Sequence, residues 1–157
     1  MDRPFQPLLL ENLRLRWPGF SIRRLALNQH MPRVERLEEH AHRYAQILVY
    51  LRGAGLAWLG SGRVPVARGS VLVIPSGLPH HFEKTQRTRP ICLVIDFDVE
   101  DALPWREVSL LSAHELASVE RWLLALHEQG RAVKSAAIQS AALILQLLAL
   151  LERHLSD

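Results

Sequence analysis

Three histidines and a glutamine are the residues of this sequence best suited to chemistry. His40 and His42 are two positions apart, Gln46 follows, and His80 comes after a turn rich in Pro and Gly. Alternate residues of a β-strand point to one side, so His40, His42 and Gln46 can converge if no bulge intervenes. If residues 43–44 turn the chain instead, the next strand supplies Gln46, and either geometry permits a shared site. Three imidazoles and an oxygen donor suit zinc, nickel, iron or copper better than calcium or magnesium.

The same alternation predicts what surrounds these residues. Leu48 and Tyr50 follow the glutamine inward and Phe82 follows His80, so the predicted pocket is mixed apolar and aromatic with a polar mouth. Such a lining suits a small organic molecule. A pocket of hydrogen-bonded histidines without metal is the alternative interpretation. His81 should face away from His80, toward the surface.

Many short strands should position this pocket. From about residue 8 to residue 98, segments rich in β-branched and aromatic residues alternate with Gly, Pro or charged turns. The clearest strand segments are 45–51, 54–59, 64–67, 70–74 and 90–97. This regular spacing predicts a β-sandwich or a closed barrel rather than an alternating α/β fold.

Toward the C-terminus the periodicity becomes helical. Ser112 and Glu115 form a capping-box pattern, apolar residues follow at three- and four-residue steps, and Gly130 supplies a stop. A second helix is predicted from about Ala132 to His154. Its apolar positions cover more than the single stripe needed to pack on a barrel. We therefore expect a homodimer through residues 113–155.

Composition narrows the class of protein. The 157 residues, 48% of them hydrophobic, suit one domain spanning 1–157. The single cysteine, Cys92, lies in an apolar run and is predicted to be an inert buried thiol; with no internal disulfide, we expect a cytoplasmic protein. The N-terminus lacks the pattern of an export signal, and polar residues interrupt the apolar stretch 136–151, which favours a buried helix and no membrane association. The arginines behind the net charge of +3 are scattered, which favours solvated charge over a DNA-binding face.

Two motifs make the chain similar to the cupin superfamily. The motif G-x5-H-x-H-x3,4-E-x6-G is matched by His40, His42, Gln46 and Gly53, and the motif G-x5-P-x-G-x2-H-x3-N by Gly69, Pro75, Gly77 and His80. The resemblance implies a mostly β fold, in which a cupin double-stranded β-helix (jelly-roll barrel) over about 8–100 precedes two C-terminal α-helices over about 112–156. It also places the three histidines and Gln46 at metal-ligand positions. Val34 replaces the first glycine, Lys84 the final asparagine and Gln46 the acidic ligand, so we expect weaker metal affinity.

Over roughly residues 20–157 the chain also resembles the N-terminal domain of AraC-family transcriptional regulators. The resemblance is carried by H-x-H-x-Y-x-Q-I-L, by G-S-V-L-V-I-P-S-G-L-P-H, by a connecting strand at 91–97 and by two apolar helices. It implies a small-molecule effector in the barrel and pairing of two subunits through the helices. DNA would be bound only through a C-terminal helix-turn-helix module, which is absent from this chain.

A stand-alone metal-dependent cupin enzyme, of the dioxygenase or isomerase type, is the alternative function. No convincing general base accompanies the histidines, because Glu38, Glu39 and Glu83 are predicted to be solvated charges. The neutral Gln46 also counts against redox or lyase chemistry. The sequence therefore favours binding over catalysis, and we assign no catalytic residue.

Overall fold

Strands occupy the chain up to Leu110, and two helices follow them. The structure is a computed structural model that describes residues 5–11, 15–99, 108–129 and 137–155. The elements within these ranges are β1 (Phe5–Glu11), β2 (Arg16–Trp17), β3 (Phe20–His30), β4 (Ala45–Arg52), β5 (Gly55–Leu59), β6 (Gly62–Val66), β7 (Ser70–Ile74), β8 (His80–Lys84), β9 (Ile91–Val99), β10 (Val108–Leu110), α1 (Ala113–Gln129) and α2 (Ala137–Leu155). The predicted mostly β fold with two C-terminal helices is confirmed.

Two antiparallel sheets form the barrel. The larger sheet has the order β1-β3-β9-β4-β7-β10, with β2 paired beside β3, and the smaller has the order β6-β5-β8. Apolar side chains from both sheets, Leu72 and Phe82 among them, share one buried cluster between the sheets. The segment between β3 and β4 reaches the smaller sheet through an isolated bridge that pairs His40 with His80. This bridge joins the first sequence motif to the second, at residues that are 40 positions apart.

The central strands of the larger sheet divide their side chains between two cores. In β9, Cys92 and Val94 face the barrel interior, whereas Leu93 and Ile95 belong to the cluster that contains the helices. A strand buried on both faces needs an almost continuous apolar sequence, which explains the run from Ile91 to Ile95. The outer face of the larger sheet is therefore an interior surface of this chain.

The first helix begins as the sequence predicts. The Ser112 N–H donates to Glu115 Oε2 at 2.9 Å, and the Glu115 N–H donates to the Ser112 hydroxyl at 3.3 Å, which is a reciprocal capping box. The other oxygen of Glu115 lies 3.1 Å from His154 Nε2, so the start of α1 contacts the end of α2. Hydrogen bonds from Ser112 and His154 lower the pKa of Glu115 to about 2. Gly130 and residues 132–136, where the sequence predicts a stop and the second helix start, lie outside the described residues.

Both helices cover the outer face of the larger sheet. Leu126, Leu147 and Leu151 are fully buried in the cluster that also contains the β4 and β9 side chains. Leu124 and Leu145, by contrast, remain 58% and 49% exposed. Packing against the sheet thus buries much of the helical apolar surface from which the sequence predicts a homodimer.

By length and composition alone, α2 could also cross a membrane. A third of its apolar window is buried within the chain, and its buried face packs against α1 and the sheet. A core helix passes the same test of length and composition, so this property alone does not indicate a membrane span.

Candidate metal centre and ligand cavity

His40, His42 and His80 come together at one region of the barrel. One ring nitrogen from each lies within 4.8 Å of the other two. The ring centroids of His40 and His80 are 4.4 Å apart, and those of His40 and His42 are 4.9 Å apart. The structure thus brings together the three histidines that the motif spacing selects, and their nitrogens are close enough to share one ion.

Backbone hydrogen bonds fix this cluster. The His40 N–H donates to the His80 carbonyl at 3.0 Å, and the His80 N–H donates back at 2.9 Å. Gly77 has a left-handed φ of +80°, and its N–H donates to the His42 carbonyl at 2.7 Å. The Pro-Gly corner of the second motif therefore holds the segment that carries the first.

Two of the imidazoles have the tautomer that metal binding requires. His40 Nδ1 lies 2.8 Å from the Glu38 carbonyl, and His80 Nδ1 lies 2.9 Å from the Leu78 carbonyl. A carbonyl oxygen only accepts, so each Nδ1 must carry the proton. In the neutral ring this tautomer leaves Nε2 with a free lone pair, as in metal sites whose histidines are oriented by a second hydrogen bond. The donor set fits a divalent transition metal ion.

Burial favours the neutral form of His42 and His80. Burial lowers the pKa of His42 and of His80, and the charge of neighbouring imidazoles lowers both further. An imidazole must be deprotonated to bind a metal. Burial therefore favours the metal-binding form of these two imidazoles. His42 also stacks on Tyr44, with ring centroids 4.8 Å apart.

Gln46 lines the same cavity and is oriented by a buried carboxylate. Its Nε2 donates to Asp96 Oδ1 at 2.8 Å, and Arg24 Nε donates to Asp96 Oδ2 at 2.8 Å. Because the amide nitrogen is committed to Asp96, the carbonyl oxygen is the group left to face a ligand. The role of Gln46 as a fourth metal ligand stays a prediction. Sequence reasoning missed Arg24 and Asp96, although an aspartate inside an apolar strand is itself a signal of a buried polar contact.

A cavity of about 550 Å³ adjoins the histidine cluster. Leu48, Tyr50 and Phe82 lie on its wall, together with side chains from both sheets. Cys92 is also on this wall, and burial raises the pKa of its thiol, which keeps the sulfur protonated. The volume and the mainly apolar lining are typical of small-molecule sites.

His30 also lines this cavity, although the sequence assigned it no role. The residue is 5% exposed, and its ring lies edge-on to Phe5 and Phe82 at centroid distances of 5.0 and 5.1 Å. Burial, followed by the charge of Lys84, lowers the pKa of His30 to about 4. His30 follows Arg24, Ala26 and Asn28, which also line the cavity, at alternate positions of β3. This alternation is the sequence signal that could have identified it.

The expectation that His81 lies at the surface is wrong. His81 is 9% exposed, its ring stacks on Trp58 at a centroid distance of 5.3 Å, and its Nε2 lies 3.2 Å from Arg36 Nη2. The outer face of the smaller sheet is covered locally by these side chains. A polar face of a strand need not be solvated when the neighbouring strand carries a tryptophan.

Comparison with known proteins places the fold. Residues 28–96 match the family model described as a cupin domain. AerE from Microcystis aeruginosa is 20% identical with a TM-score of 0.51, over 69% of this chain and 52% of AerE. Oxalate decarboxylase from Bacillus subtilis is 18% identical with a TM-score of 0.42, over 57% of this chain and 28% of the enzyme. Vicilin from tomato, Solanum lycopersicum, is 15% identical with a TM-score of 0.44, over 53% of this chain and 29% of vicilin.

This chain spans about half the length of AerE and under a third of the other two proteins. No curated protein sequence matches it. One fold can host unrelated functions, and at these identities the likeness is one of fold alone.

Proposed function

We propose that this cupin-domain protein senses a small molecule inside its barrel and holds a divalent transition metal at His40, His42 and His80. The observation that carries the proposal is the cluster of three imidazoles beside a cavity of about 550 Å³. A bound metal would supply an electrophilic anchor for a polar group of the ligand. The apolar wall would bind the rest of the molecule.

The charged groups near the cavity support sensing over catalysis. Both oxygens of the buried Asp96 are hydrogen-bonded, one to Arg24 and one to Gln46, so this carboxylate is not free to take a proton from a substrate. Glu38 and Glu83 are exposed, as the sequence predicts. Among the described lining residues of the cavity there is no Asp or Glu.

Within a cell, we propose that this domain is the effector-binding part of an AraC-type transcriptional regulator in the cytoplasm. The support is the sequence resemblance together with two C-terminal helices packed behind the barrel. DNA would be bound by a separate helix-turn-helix module. Homodimerisation would use the exposed helix side chains Leu124, Ile138 and Leu145.

Metal content tests the first part of the proposal. Protein prepared without chelators and offered zinc or nickel should retain about one equivalent, measured by elemental mass spectrometry. His42→Ala should lose most of this metal, because it removes one of three imidazoles. His114→Ala is the matched control, since His114 is an exposed histidine on α1 and should retain the wild-type amount. Retention below about a tenth of an equivalent by the wild type would contradict the proposal.

A thermal-shift screen with small metabolites tests the second part. A ligand at about a hundred times its Kd should stabilise the metal-loaded chain by about 2.7 kcal/mol. Ala57→Leu narrows the cavity and should abolish the shift, whereas Ala142→Leu, at an exposed position of α2, should leave it unchanged. An equal shift in both variants would place the ligand elsewhere on the protein.

The cupin enzyme of the dioxygenase or isomerase type remains the second candidate, favoured by three imidazoles that leave coordination positions open. Prolonged incubation of the metal-loaded chain with any ligand from the screen, followed by mass spectrometry, separates the two functions. Recovery of unchanged ligand supports sensing, and conversion supports the enzyme.

Sedimentation tests the homodimer. The wild type should sediment as a dimer at high micromolar concentration, and Leu145→Asp should shift it toward the monomer because a charge would enter the interface. Glu152→Asp is a control that keeps the charge of the exposed face of α2. A monodisperse wild-type monomer would overturn this part of the proposal.

A further inference from the structure

We propose that His30 is the specificity-determining residue of the cavity and hydrogen-bonds a neutral group, such as a hydroxyl, on an elongated and largely apolar carboxylic acid. This inference rests on the proposed small-molecule function of the cavity. It concerns the end of the cavity at His30, to which neither the proposed metal cluster nor Gln46 gives a role.

His30 is a buried polar side chain without a polar partner. Its ring is 5% exposed and is bounded by Phe5 and Phe82. Within the described residues no hydrogen bond involves either ring nitrogen of His30, although its carbonyl accepts one from Arg89. His30 lines the cavity, so its ring nitrogens can hydrogen-bond a molecule bound there. The unpaired imidazole is therefore a polar group that a ligand can use.

The electrostatics of the two ends differ. With a pKa lowered to about 4 by burial, His30 is neutral near pH 7 and offers one donor and one acceptor. Arg24 is the only Lys, Arg, Asp or Glu on the cavity wall among the residues that the structure describes. The two cations near His30 do not line the cavity, since Lys84 is paired with Glu35 at 2.9 Å and Arg89 donates to the His30 carbonyl. A charged ligand group at His30 would therefore lack a counter-ion on the cavity wall. A neutral group fits this end.

A carboxylate fits the other end. Arg24 uses Nε for Asp96, and its two terminal nitrogens make no hydrogen bond within the described part of the chain. Arg24 shares the Asp96 carboxylate with Gln46, and both side chains line the cavity together with the three clustered histidines. Guanidinium groups bind carboxylates through paired hydrogen bonds, and a metal at the cluster would add to this attraction.

Strand β3 gives the distance between these ends. Arg24 and His30 both belong to β3 and both line the cavity, six residues apart. Six residues of β-strand span about 20 Å between their Cα atoms. The wall between the ends is apolar, and Leu48, Leu72 and Val94 lie on it. The ligand must therefore be long, apolar in its middle and polar at both termini.

Decanoate and ω-hydroxydecanoate are suitable probes, since they share a carboxylate and a long apolar chain and differ in one terminal hydroxyl. Isothermal titration of the zinc-loaded chain should show that the wild type binds ω-hydroxydecanoate about tenfold more tightly, the value of one good hydrogen bond. His30→Phe keeps an aromatic ring but has no polar atom, so it should bind the two acids equally. His114→Phe, at an exposed position, should keep the tenfold preference.

His30→Gln is a second variant, which separates the loss of a hydrogen bond from a folding defect in His30→Phe. It keeps a donor and an acceptor and should retain a preference for the hydroxyl acid. The affinities of the wild type and of His30→Phe for the two acids form a thermodynamic cycle. The coupling free energy of this cycle measures the interaction between His30 and the ligand hydroxyl. Loss of the preference in His30→Phe together with its retention in His30→Gln supports the inference.

Other outcomes overturn it in distinguishable ways. If His30→Phe keeps the wild-type preference for ω-hydroxydecanoate, His30 does not bind the hydroxyl. Binding in the cavity and the proposed function would then stand. If neither acid binds the wild type at millimolar concentration while the metabolite screen finds another ligand, the ligand class is wrong and the sensing function stands. If the chain retains no metal and no metabolite stabilises it, the proposed function itself fails.

Discussion

Replacing His30 by phenylalanine should change how the stability of the protein depends on pH. Burial lowers the pKa of His30 from 6.5 to about 4. Each pKa unit corresponds to about 1.4 kcal/mol, so this difference is linked to about 3 kcal/mol of stability. Phenylalanine is a suitable replacement because the imidazole packs between two phenylalanine rings, Phe5 and Phe82.

The direction of the effect follows from proton uptake. Between pH 6.5 and pH 4 the unfolded chain protonates this histidine and the folded chain does not, so acid favours unfolding. The stabilisation is complete above pH 6.5 and is lost progressively as the pH falls toward 4. At pH 5 the wild type should have lost about 2 kcal/mol through His30 relative to pH 7.5. The phenylalanine variant has no group to protonate at this position.

Urea unfolding at pH 7.5 and pH 5, with chelator present to remove metal, measures this loss. His42 and His80 titrate in both proteins, so their contributions cancel in the comparison. The wild type should lose about 2 kcal/mol more than His30→Phe, and the exposed-site variant His114→Phe should behave as the wild type. Equal losses in wild type and His30→Phe would refute the conclusion that His30 is held neutral by burial.

Four further substitutions test the packing and the capping of the first helix. Leu147→Ala, at a fully buried position between helix and sheet, should cost about 2–5 kcal/mol in urea unfolding, whereas Leu145→Ala, half exposed on the same helix, should cost less than about 1 kcal/mol. Glu115→Gln should cost about 1 kcal/mol by weakening the capping box, and because the pKa of Glu115 is lowered to about 2, thermal melts should show this difference above pH 4.5 and lose it as the pH falls toward 2. Gly55→Ala places a Cβ against both the ring of Phe82 and the backbone carbonyl of Glu83, and it should destabilise the chain by about 1–3 kcal/mol. Unfolding at the wild-type urea concentration would show that both groups can move away freely.

Strand prediction succeeded where the local pattern was strong. The segments 45–51 and 70–74 were predicted from apolar, β-branched sequence between glycine turns, and they are β4 and β7 with bounds that differ by at most one residue. The strands β3 and β8 were not among the clearest segments. β3 contains two successive arginines and a register shift between Ile22 and Arg24, and β8 is His-His-Phe-Glu-Lys. Their strand conformation is imposed by pairing with neighbours, which a local pattern does not record.

The helices show a similar division. The reciprocal bonds of Ser112 and Glu115 could be predicted because they join residues three positions apart. The contact of Glu115 with His154 joins residues 39 positions apart and could not. The face of the barrel on which the helices pack also depends on contacts between distant residues, and the homodimer stays a prediction.

The sequence by itself determined the fold class, the capping of the first helix and the identity of the three clustered histidines, because motif spacing and periodicity along the chain carry that information. The tertiary structure alone decided that Asp96 orients Gln46 and binds Arg24, partners 50 and 72 positions away. It likewise decided that His30 is unpaired inside the cavity and that His81 is covered by Trp58. The environment of each of these side chains is created by distant segments that meet only in the folded barrel, and burial and pairing there set its charge and its capacity to bind.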